Sequence, residues 1–175
     1  RGVNFLFALI AAGPSFVRAP REDITWDQGR ILHIDAGGEV GDYIGDVCRM
    51  GCIGEPSPLA KEMHAAALEV QKVARGAIKP GVPAKEILLV GEEAASGYPF
   101  SEYARFVAHA IGVVPYETPK INRENDRPLE EGMVISVETD FIHPEEGHFK
   151  IEDSVVVTAD GCEGMGDLGR EWQIR

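Results

Sequence analysis

Acidic side chains inside apolar, strand-like segments are the feature that most constrains the fold of this chain. Asp35 lies in the segment RILHIDA, and Asp46 lies eleven positions later on the far arm of what we interpret as a β-hairpin. Burying a carboxylate in such a strand is costly unless it is paired or bound to a metal. Two carboxylates that face each other across a hairpin repel, and a cation between them relieves both costs. The pattern therefore predicts a cation site at this hairpin.

Three further polar residues interrupt apolar segments elsewhere. His109 lies in FVAHAIG, Glu138 ends the segment VISVE, and Glu152 begins the strand-like segment in KIEDSVVV. Taken alone, such a histidine is more often a satisfied core residue, and each acid is more often a solvated or edge residue. Taken with the two aspartates, they complete a set of four carboxylates and one imidazole that suits two divalent ions. Such ions lower the pKa of a shared water and supply a hydroxide that attacks a carbonyl.

The remaining pattern predicts one α+β domain with an antiparallel sheet. Ser57 and Pro58 begin a helix whose apolar residues recur at helical spacing, and Lys79-Pro80-Gly81 ends it. A second helix is predicted from Pro83 to Gly97. The strand candidates are residues 3–10, 30–36, 39–48, 106–111, 133–138 and 149–158.

Charge and cysteine content exclude several classes of partner. The formal net charge is −12, from 29 acids against 17 bases, which argues against nucleic acid or an anionic membrane as a partner. No apolar run approaches the length of a membrane span. The cysteine count is 3, an odd number, so we expect reduced thiols in a cytoplasmic protein rather than a disulfide scaffold.

Four of these segments together resemble the pita-bread metallopeptidases, the group of methionine aminopeptidase, aminopeptidase P and prolidase. LHIDAGGEVGDYIGDV resembles the family's I-D-A-G strand followed by a second aspartate eleven positions later. AHAIG resembles the family's G-H-G-I-G, with Ala108 and Ala110 in place of glycines. NDRPLEEGMVISVE resembles the family's run of Pro-Leu, Glu and Gly-Met-Val, which is followed by a strand that ends in Glu. FKIEDSVVVTADG resembles the family's R-I-E-D strand and the turn after it. The match covers nearly the whole chain.

The resemblance implies a curved antiparallel sheet with flanking helices and a centre of two divalent ions, for which Mn, Co, Fe or Zn are suitable. Asp35 would chelate one ion, Asp46 and Glu152 would bridge the pair, and His109 and Glu138 would complete the other site. Glu138 would also act as general base. The implied activity is hydrolysis of short peptides or other small amide substrates, with Xaa-Pro peptides foremost, in a protein that forms a homodimer at full length.

Two accessory histidines that such peptidases usually carry are missing. The first falls near Pro20, and the second corresponds to Tyr116. A tyrosine is a poor base at neutral pH, but Tyr116 is a catalytic candidate because its hydroxyl donates a hydrogen bond to a developing oxyanion; the alternative is that it only lines the cleft. His33 alternates with Asp35, so we expect it on the same face.

The other three histidines are expected at the surface, His64 on the first helix and His143 and His148 in a polar turn. Such domains also begin with a pair of helices, which nothing before Val3 supplies. We therefore predict that residues 1–175 are a fragment of a longer protein, with an uncovered apolar flank of the sheet.

Two alternatives to a peptidase remain open. Loss of the accessory histidines favours a metal-dependent lyase or hydrolase of a small osmolyte, similar to the pita-bread dimethylsulfoniopropionate lyase. The fold also occurs in proteins without activity, so a non-catalytic binding module is the second alternative.

Overall fold

The computed structural model describes residues 2–14, 18 and 22–175. Two helices and a 3-10 turn at Ser101–Tyr103 separate the strands of the first half of the chain from those of the second. The helices are α1 (Pro58–Gly76) and α2 (Ala84–Ser96). The strands are β1 (Asn4–Ala12), β2 (Ile31–Val40), β3 (Tyr43–Cys52), β4 (Ala104–Ala110), β5 (Val134–His143), β6 (Gly147–Val157), β7 (Cys162–Gly164) and β8 (Gln173–Ile174).

The strands form one sheet in the order β1-β2-β3-β6-β5-β4, with antiparallel neighbours throughout. Strand β7 pairs with β6, and β8 runs parallel to β3. The two three-stranded halves meet where Cys48 of β3 pairs with Glu152 of β6. The predicted α+β class and antiparallel sheet are confirmed. The hairpin turn lies at Gly41 and Asp42, two residues with positive φ, so β2 runs straight through Gly37 and Gly38.

Both helices pack over the half of the sheet formed by β4, β5 and β6. Helix α1 begins as its sequence predicts: Pro58 is its first residue, and the Ser57 hydroxyl accepts a hydrogen bond of 3.0 Å from the Ala60 N–H. Its buried face carries Met63, and the buried Gln71 donates 3.0 Å to the Val137 carbonyl of β5. This face and the strands beneath it enclose the hydrophobic core.

Helix α2 lies unusually close to β4. A Cβ added at Gly91 would lie 2.4 Å from the Phe106 ring, well inside van der Waals contact. Glycine lowers helix stability in a helix interior by about 1 kcal/mol relative to alanine, so its presence in α2 reflects this close approach.

The half of the sheet formed by β1, β2 and β3 leaves large apolar side chains exposed. Phe5 is 73 % exposed and Ile34 is 41 % exposed, and Leu6, Val40 and Val47 are exposed as well. This is the apolar flank that the sequence predicted, and the origin of the chain from a longer protein stays a prediction. Within the described residues, neither helix combines the length and the apolar character that a membrane span needs.

Candidate active site

Five strands bring the predicted side chains to one face of the sheet, at the junction of its two halves. Asp35 and Asp46 lie on the paired strands β2 and β3, where Asp46 is opposite Gly37 and Asp35 is opposite Cys48. His109 lies on β4, and Glu138 on β5 is directly opposite Glu152 on β6. Because side chains alternate along a strand, these registers put all five on the same face.

The distances within this group are short. His109 Nε2 lies 3.2 Å from Glu138 Oε1 and 3.5 Å from Glu152 Oε1. Ligand atoms of Asp46, His109 and Glu152 all lie within 4.8 Å of one another. The sequence is therefore right that residues far apart in the chain meet here, while their role as metal ligands stays a prediction. The Ser136 hydroxyl donates a hydrogen bond of 2.8 Å to Glu152 Oε1 and orients that carboxylate.

The group shifts the pKa values of two of its members upward. Burial lowers the pKa of His109, but Glu138 and Glu152 outweigh it and raise that pKa from 6.5 to about 10. Burial, followed by the charges of Glu152 and Asp35, raises the pKa of Asp46 from 3.8 to about 7. Crowded carboxylates thus favour a proton or a cation at this place.

Glu138 behaves differently. Burial alone would raise the pKa of Glu138, but hydrogen bonds from His109 and Lys150 outweigh burial and lower it. Glu138 is therefore ionised at neutral pH, the state that a proton acceptor needs.

Lys150 is the residue that sequence reasoning missed. Its Nζ lies 2.6 Å from Asp35 Oδ2, 2.6 Å from Glu138 Oε2 and 2.8 Å from Glu152 Oε2, and its side chain is 3 % exposed. The sequence contained the sign: Lys150 is two positions before Glu152 in an apolar strand, so both face the same way. A buried lysine needs carboxylate partners, and the predicted acids were the available ones.

Two arginines also line the cleft. Arg18 contacts Asp35 Oδ2. Arg105 on β4 pairs with the fully buried Asp140 at 2.9 Å, and His148 Nε2 lies 3.1 Å from the same carboxylate. Burial would raise the pKa of Asp140, but His148, Lys150 and Arg105 lower it.

The structure corrects the predicted surface positions of two histidines. His64 is buried on α1, with its ring centroid 4.7 Å from that of Trp172 in the C-terminal segment, which folds back over the helix. His148 is buried because it begins β6 beside Asp140 rather than ending a free turn. His143 is half-buried, and its Nδ1 accepts hydrogen bonds from the Glu145 and Glu146 N–H groups in the turn.

His33 shares the Asp35 face as predicted but is fully buried. Its Nδ1 lies 3.0 Å from the His148 carbonyl, and its ring packs edge-on against the His148 ring. Burial, then the nearby His148, lowers the pKa of His33 from 6.5 to about 4. It is a neutral core residue. Pro20, which stands near the first missing histidine, lies outside the described residues.

Tyr116 lies over the group, in the loop after β4. Its ring centroid is 4.3 Å from that of His109, and the residue is 71 % exposed. Partial desolvation of the phenol, followed by the charges of Glu138 and Glu152, raises the pKa of Tyr116 above its usual value of 10. The phenol therefore stays protonated and keeps a proton to donate, while its catalytic role stays a prediction.

The cleft formed by these residues has a volume of about 420 Å³. It is lined by Asp46, Glu138, Glu152 and Lys150, together with Arg18, Arg105 and Tyr116. A larger cavity of about 510 Å³ is lined mostly by apolar side chains such as Val40, Ile44 and Val134. The smaller cleft holds the reactive groups, so we identify it as the candidate active site.

The donor set fits a divalent metal ion. Asp46 Oδ1 is buried and has no hydrogen-bond partner among the described residues, and Asp46 lies beside His109 and Glu152. Buried polar atoms without partners are costly, and a bound cation removes that cost. Carboxylate oxygens with one imidazole nitrogen suit Mn, Fe, Co or Zn.

An open antiparallel sheet with two helices, whose face gathers acids and a histidine into one cleft, defines a pita-bread metallopeptidase domain. Residues 7–159 match Metallopeptidase family M24, and the chain belongs to this family. The predicted family and fold are thus confirmed.

The relatives of this chain include peptidases named for proline-containing substrates. It is 32% identical over 146 residues to the Xaa-Pro dipeptidase of Pyrococcus furiosus, covering 83% of this chain and 42% of that protein. The X-Pro aminopeptidase of Thermotoga maritima superposes with a TM-score of 0.88 at 31% identity, over 96% of this chain and 49% of that one. The prolidase of Pyrococcus horikoshii superposes with a TM-score of 0.80 at 30% identity, and the match covers 90% of this chain and 46% of that one. The chain therefore spans less than half the length of these relatives.

Proposed function

We propose that this chain is the metal-dependent half of a peptidase that hydrolyses the amide bond of Xaa-Pro peptides. The observation that carries the proposal is that Asp35, Asp46, His109, Glu138 and Glu152 gather on one face of the sheet, where its two halves meet. The peptidases to which the chain is similar support the substrate class. A cleft of about 420 Å³ matches a short peptide or another small molecule rather than a folded protein.

Asp35, Asp46, His109, Glu138 and Glu152 would together hold two divalent ions. When bound, such ions supply Lewis acidity, which polarises a carbonyl and lowers the pKa of water. Glu138 accepts a proton from the attacking water and passes it to the leaving amine, a task that its ionised state allows. Tyr116 donates its phenolic proton in a hydrogen bond to the carbonyl oxygen as negative charge develops.

A substrate and metal panel on the full-length protein tests this proposal. The chelated protein is assayed with Xaa-Pro dipeptides and with dimethylsulfoniopropionate, after addition of Mn²⁺, Co²⁺, Fe²⁺ or Zn²⁺. We expect metal-dependent release of proline, and loss of both activity and metal uptake in Asp46→Ala. The matched control is Asp42→Asn in the same hairpin, which keeps both because Asp42 is exposed and asparagine tolerates its positive φ.

The other outcomes separate the alternatives. Cleavage of dimethylsulfoniopropionate without peptide hydrolysis would favour the osmolyte lyase. Metal uptake without turnover of either substrate would favour a binding module. Full activity in Asp46→Ala would remove the metal-centre hypothesis.

Cellular location and assembly complete the proposal. The described cysteines Cys48, Cys52 and Cys162 are free thiols, which supports a reducing, cytoplasmic setting. The exposed apolar side chains of β1 to β3 support burial of that flank in the full-length homodimer. Gel filtration with light scattering, and fractionation of cells, test these two points.

A further inference from the structure

The junction between the two halves of the sheet has little backbone pairing. Within the described residues, the ladder between β3 and β6 contains a single pair, Cys48 with Glu152, whereas β2 and β3 pair along their whole length. Asp46 on β3 and Glu152 on β6 lie on opposite sides of this junction, and their ligand atoms lie within 4.8 Å of each other. Their spacing therefore depends on how firmly β3 is held against β6.

Arg49 bridges the junction from the face opposite the candidate active site. It is three residues after Asp46, so its side chain points to the other face of β3. Its Nη1 donates hydrogen bonds of 2.8 Å to the Cys48 carbonyl and 2.9 Å to the Glu152 carbonyl, the two residues of the single pair. Its Nη2 pairs with the buried carboxylate of Asp153 on β6. One guanidinium group thus connects both strands.

The C-terminal segment, residues 165–175, holds Arg49 in place, and we call it the strap. The Leu168 carbonyl accepts a hydrogen bond of 2.6 Å from Arg49 Nε, and the Gly166 carbonyl accepts one of 3.2 Å from Nη2. The five N–H groups of the guanidinium therefore have five acceptors. The strap itself crosses the junction, because the Met165 N–H donates a hydrogen bond of 3.0 Å to the backbone of β6 and β8 pairs with β3.

Two further arginines connect the strap to the rest of the fold. Arg170 Nε lies 3.2 Å from Asp153 Oδ2, so this carboxylate has an arginine at each oxygen. Arg75 on α1 donates hydrogen bonds of 3.0 Å and 2.8 Å to the Asp167 carboxylate of the strap. The side chains of Arg75 and Arg49 are 15% and 17% exposed. Arg75 is therefore buried to the same degree, but it joins the helix to the strap rather than β3 to β6.

We propose that Arg49 is a positioning residue for the metal centre, because it holds β3 against β6 and so fixes the spacing of Asp46 and Glu152 for ion binding. The inference rests on the proposed metal centre, but it concerns a side chain on the other face of the sheet, which touches neither ion nor substrate. Removal of a group that orients metal ligands typically weakens metal binding by about 10- to 100-fold. We expect a loss of this size when the guanidinium group is removed.

An effect of charge alone would have the opposite sign. A positive charge near a cation site repels the cation, so its removal strengthens metal binding. The positioning role predicts weaker binding instead. The direction of the change in Arg49→Met, which removes both the charge and the five donors, therefore distinguishes the two explanations.

Calorimetric titration of the chelated, full-length protein with Mn²⁺ tests the inference. We expect the Kd for Mn²⁺ to rise by about 10- to 100-fold in Arg49→Met. Arg49→Lys keeps the charge but has three N–H donors for five acceptors, so its Kd should rise as well, by about tenfold. Arg75→Met is the matched control, and its Kd should equal that of the wild type. Circular dichroism shows whether each variant is folded.

Amide hydrogen exchange in the presence of chelator is a second measurement, and it needs no metal. The backbone amides of residues 47–49 and 151–154 should exchange faster in Arg49→Met than in the wild type, because the junction opens more often. The same amides should be unchanged in Arg75→Met. A variant that is only destabilised would instead show faster exchange throughout the sheet.

Four results would overturn the inference. The first is a folded Arg49→Met protein that binds Mn²⁺ as tightly as the wild type or more tightly. The second is an equal loss of affinity in Arg75→Met, and the third is exchange at the junction of Arg49→Met that matches the wild type. If Arg49→Met does not fold, wild-type affinity in Arg49→Lys is the fourth. If the wild type binds no Mn²⁺, the proposed metal centre itself fails, and the positioning role fails with it.

Discussion

Asp46→Asn should stabilise the metal-free protein and at the same time remove its stabilisation by metal. Burial and the charges of Glu152 and Asp35 raise the pKa of Asp46 from 3.8 to about 7, so the ionised carboxylate is unfavourable in the folded state. Three pKa units correspond to about 4 kcal/mol. Because Asp46 is partly exposed, solvent screening reduces this, and we expect about 1–2 kcal/mol. Asparagine keeps the shape and removes the charge.

The pH dependence of the free energy of unfolding follows from the raised pKa of Asp46. Between pH 4 and pH 7 the folded wild type holds a proton on Asp46 that the unfolded chain has lost, so its stability falls as the pH rises through this window. Asp46→Asn lacks this loss. The difference between the two proteins should therefore be absent near pH 4 and complete at pH 8.

Scanning calorimetry with and without metal measures both effects, the higher stability of the metal-free variant and its loss of stabilisation by metal. At pH 8 in chelator, we expect Asp46→Asn to melt about 2–8 °C above the wild type. With free metal at about 100 times its Kd, the wild type gains about 2.7 kcal/mol, and the variant gains little because it has lost a ligand. The exposed control Asp42→Asn should follow the wild type. A lower melting temperature for metal-free Asp46→Asn, or an equal gain from metal, would refute the reasoning.

Three other substitutions test the packing, the buried histidine and the cleft. Gly91→Ala should destabilise the protein by about 1–3 kcal/mol in urea unfolding, because its Cβ would collide with Phe106, whereas Gly76→Ala meets no atom within 4 Å and should be neutral or stabilising. Burial lowers the pKa of His64 from 6.5 to about 4, so the free energy of unfolding should fall by up to about 2–3 kcal/mol as the pH falls from 6.5 to 4. Urea unfolding at a series of pH values measures this dependence, which should be weaker in His64→Gln. Tyr116→Phe keeps the ring contact with His109 and removes the hydroxyl, so kcat should fall about 100-fold while metal affinity is unchanged; an unchanged kcat would mean that Tyr116 only lines the cleft.

Patterns of short range made the fold predictable. Ser57 and Pro58 placed the start of α1 at the correct residue, since capping depends only on neighbouring backbone groups. Segments rich in β-favouring residues located the long strands, but the predicted bounds 30–36 and 39–48 were wrong for the first hairpin, which turns at Gly41 and Asp42. The short strands β7 and β8 carried no such pattern, because two or three residues are too few to show a period, and their pairing depends on β6 and β3.

The candidate site was predictable for a different reason. Burial of an unpaired carboxylate is unfavourable, and each candidate acid lies in an apolar segment. A bound cation would stabilise all of them together, so this argument connects residues that no local sequence pattern connects. The same reasoning should have included Lys150, because a cation in an apolar strand carries the same cost.

The sequence by itself determined the order of the candidate ligands, the start of α1 and the class of sheet, since these follow from residue type and spacing. Only the tertiary structure decided that Lys150 lies among the acids, that His64 is covered by Trp172, and that His148 is enclosed beside Asp140. The physical reason is that burial and charge neutralisation depend on which distant segments meet. A side chain's own neighbours in sequence do not specify those partners.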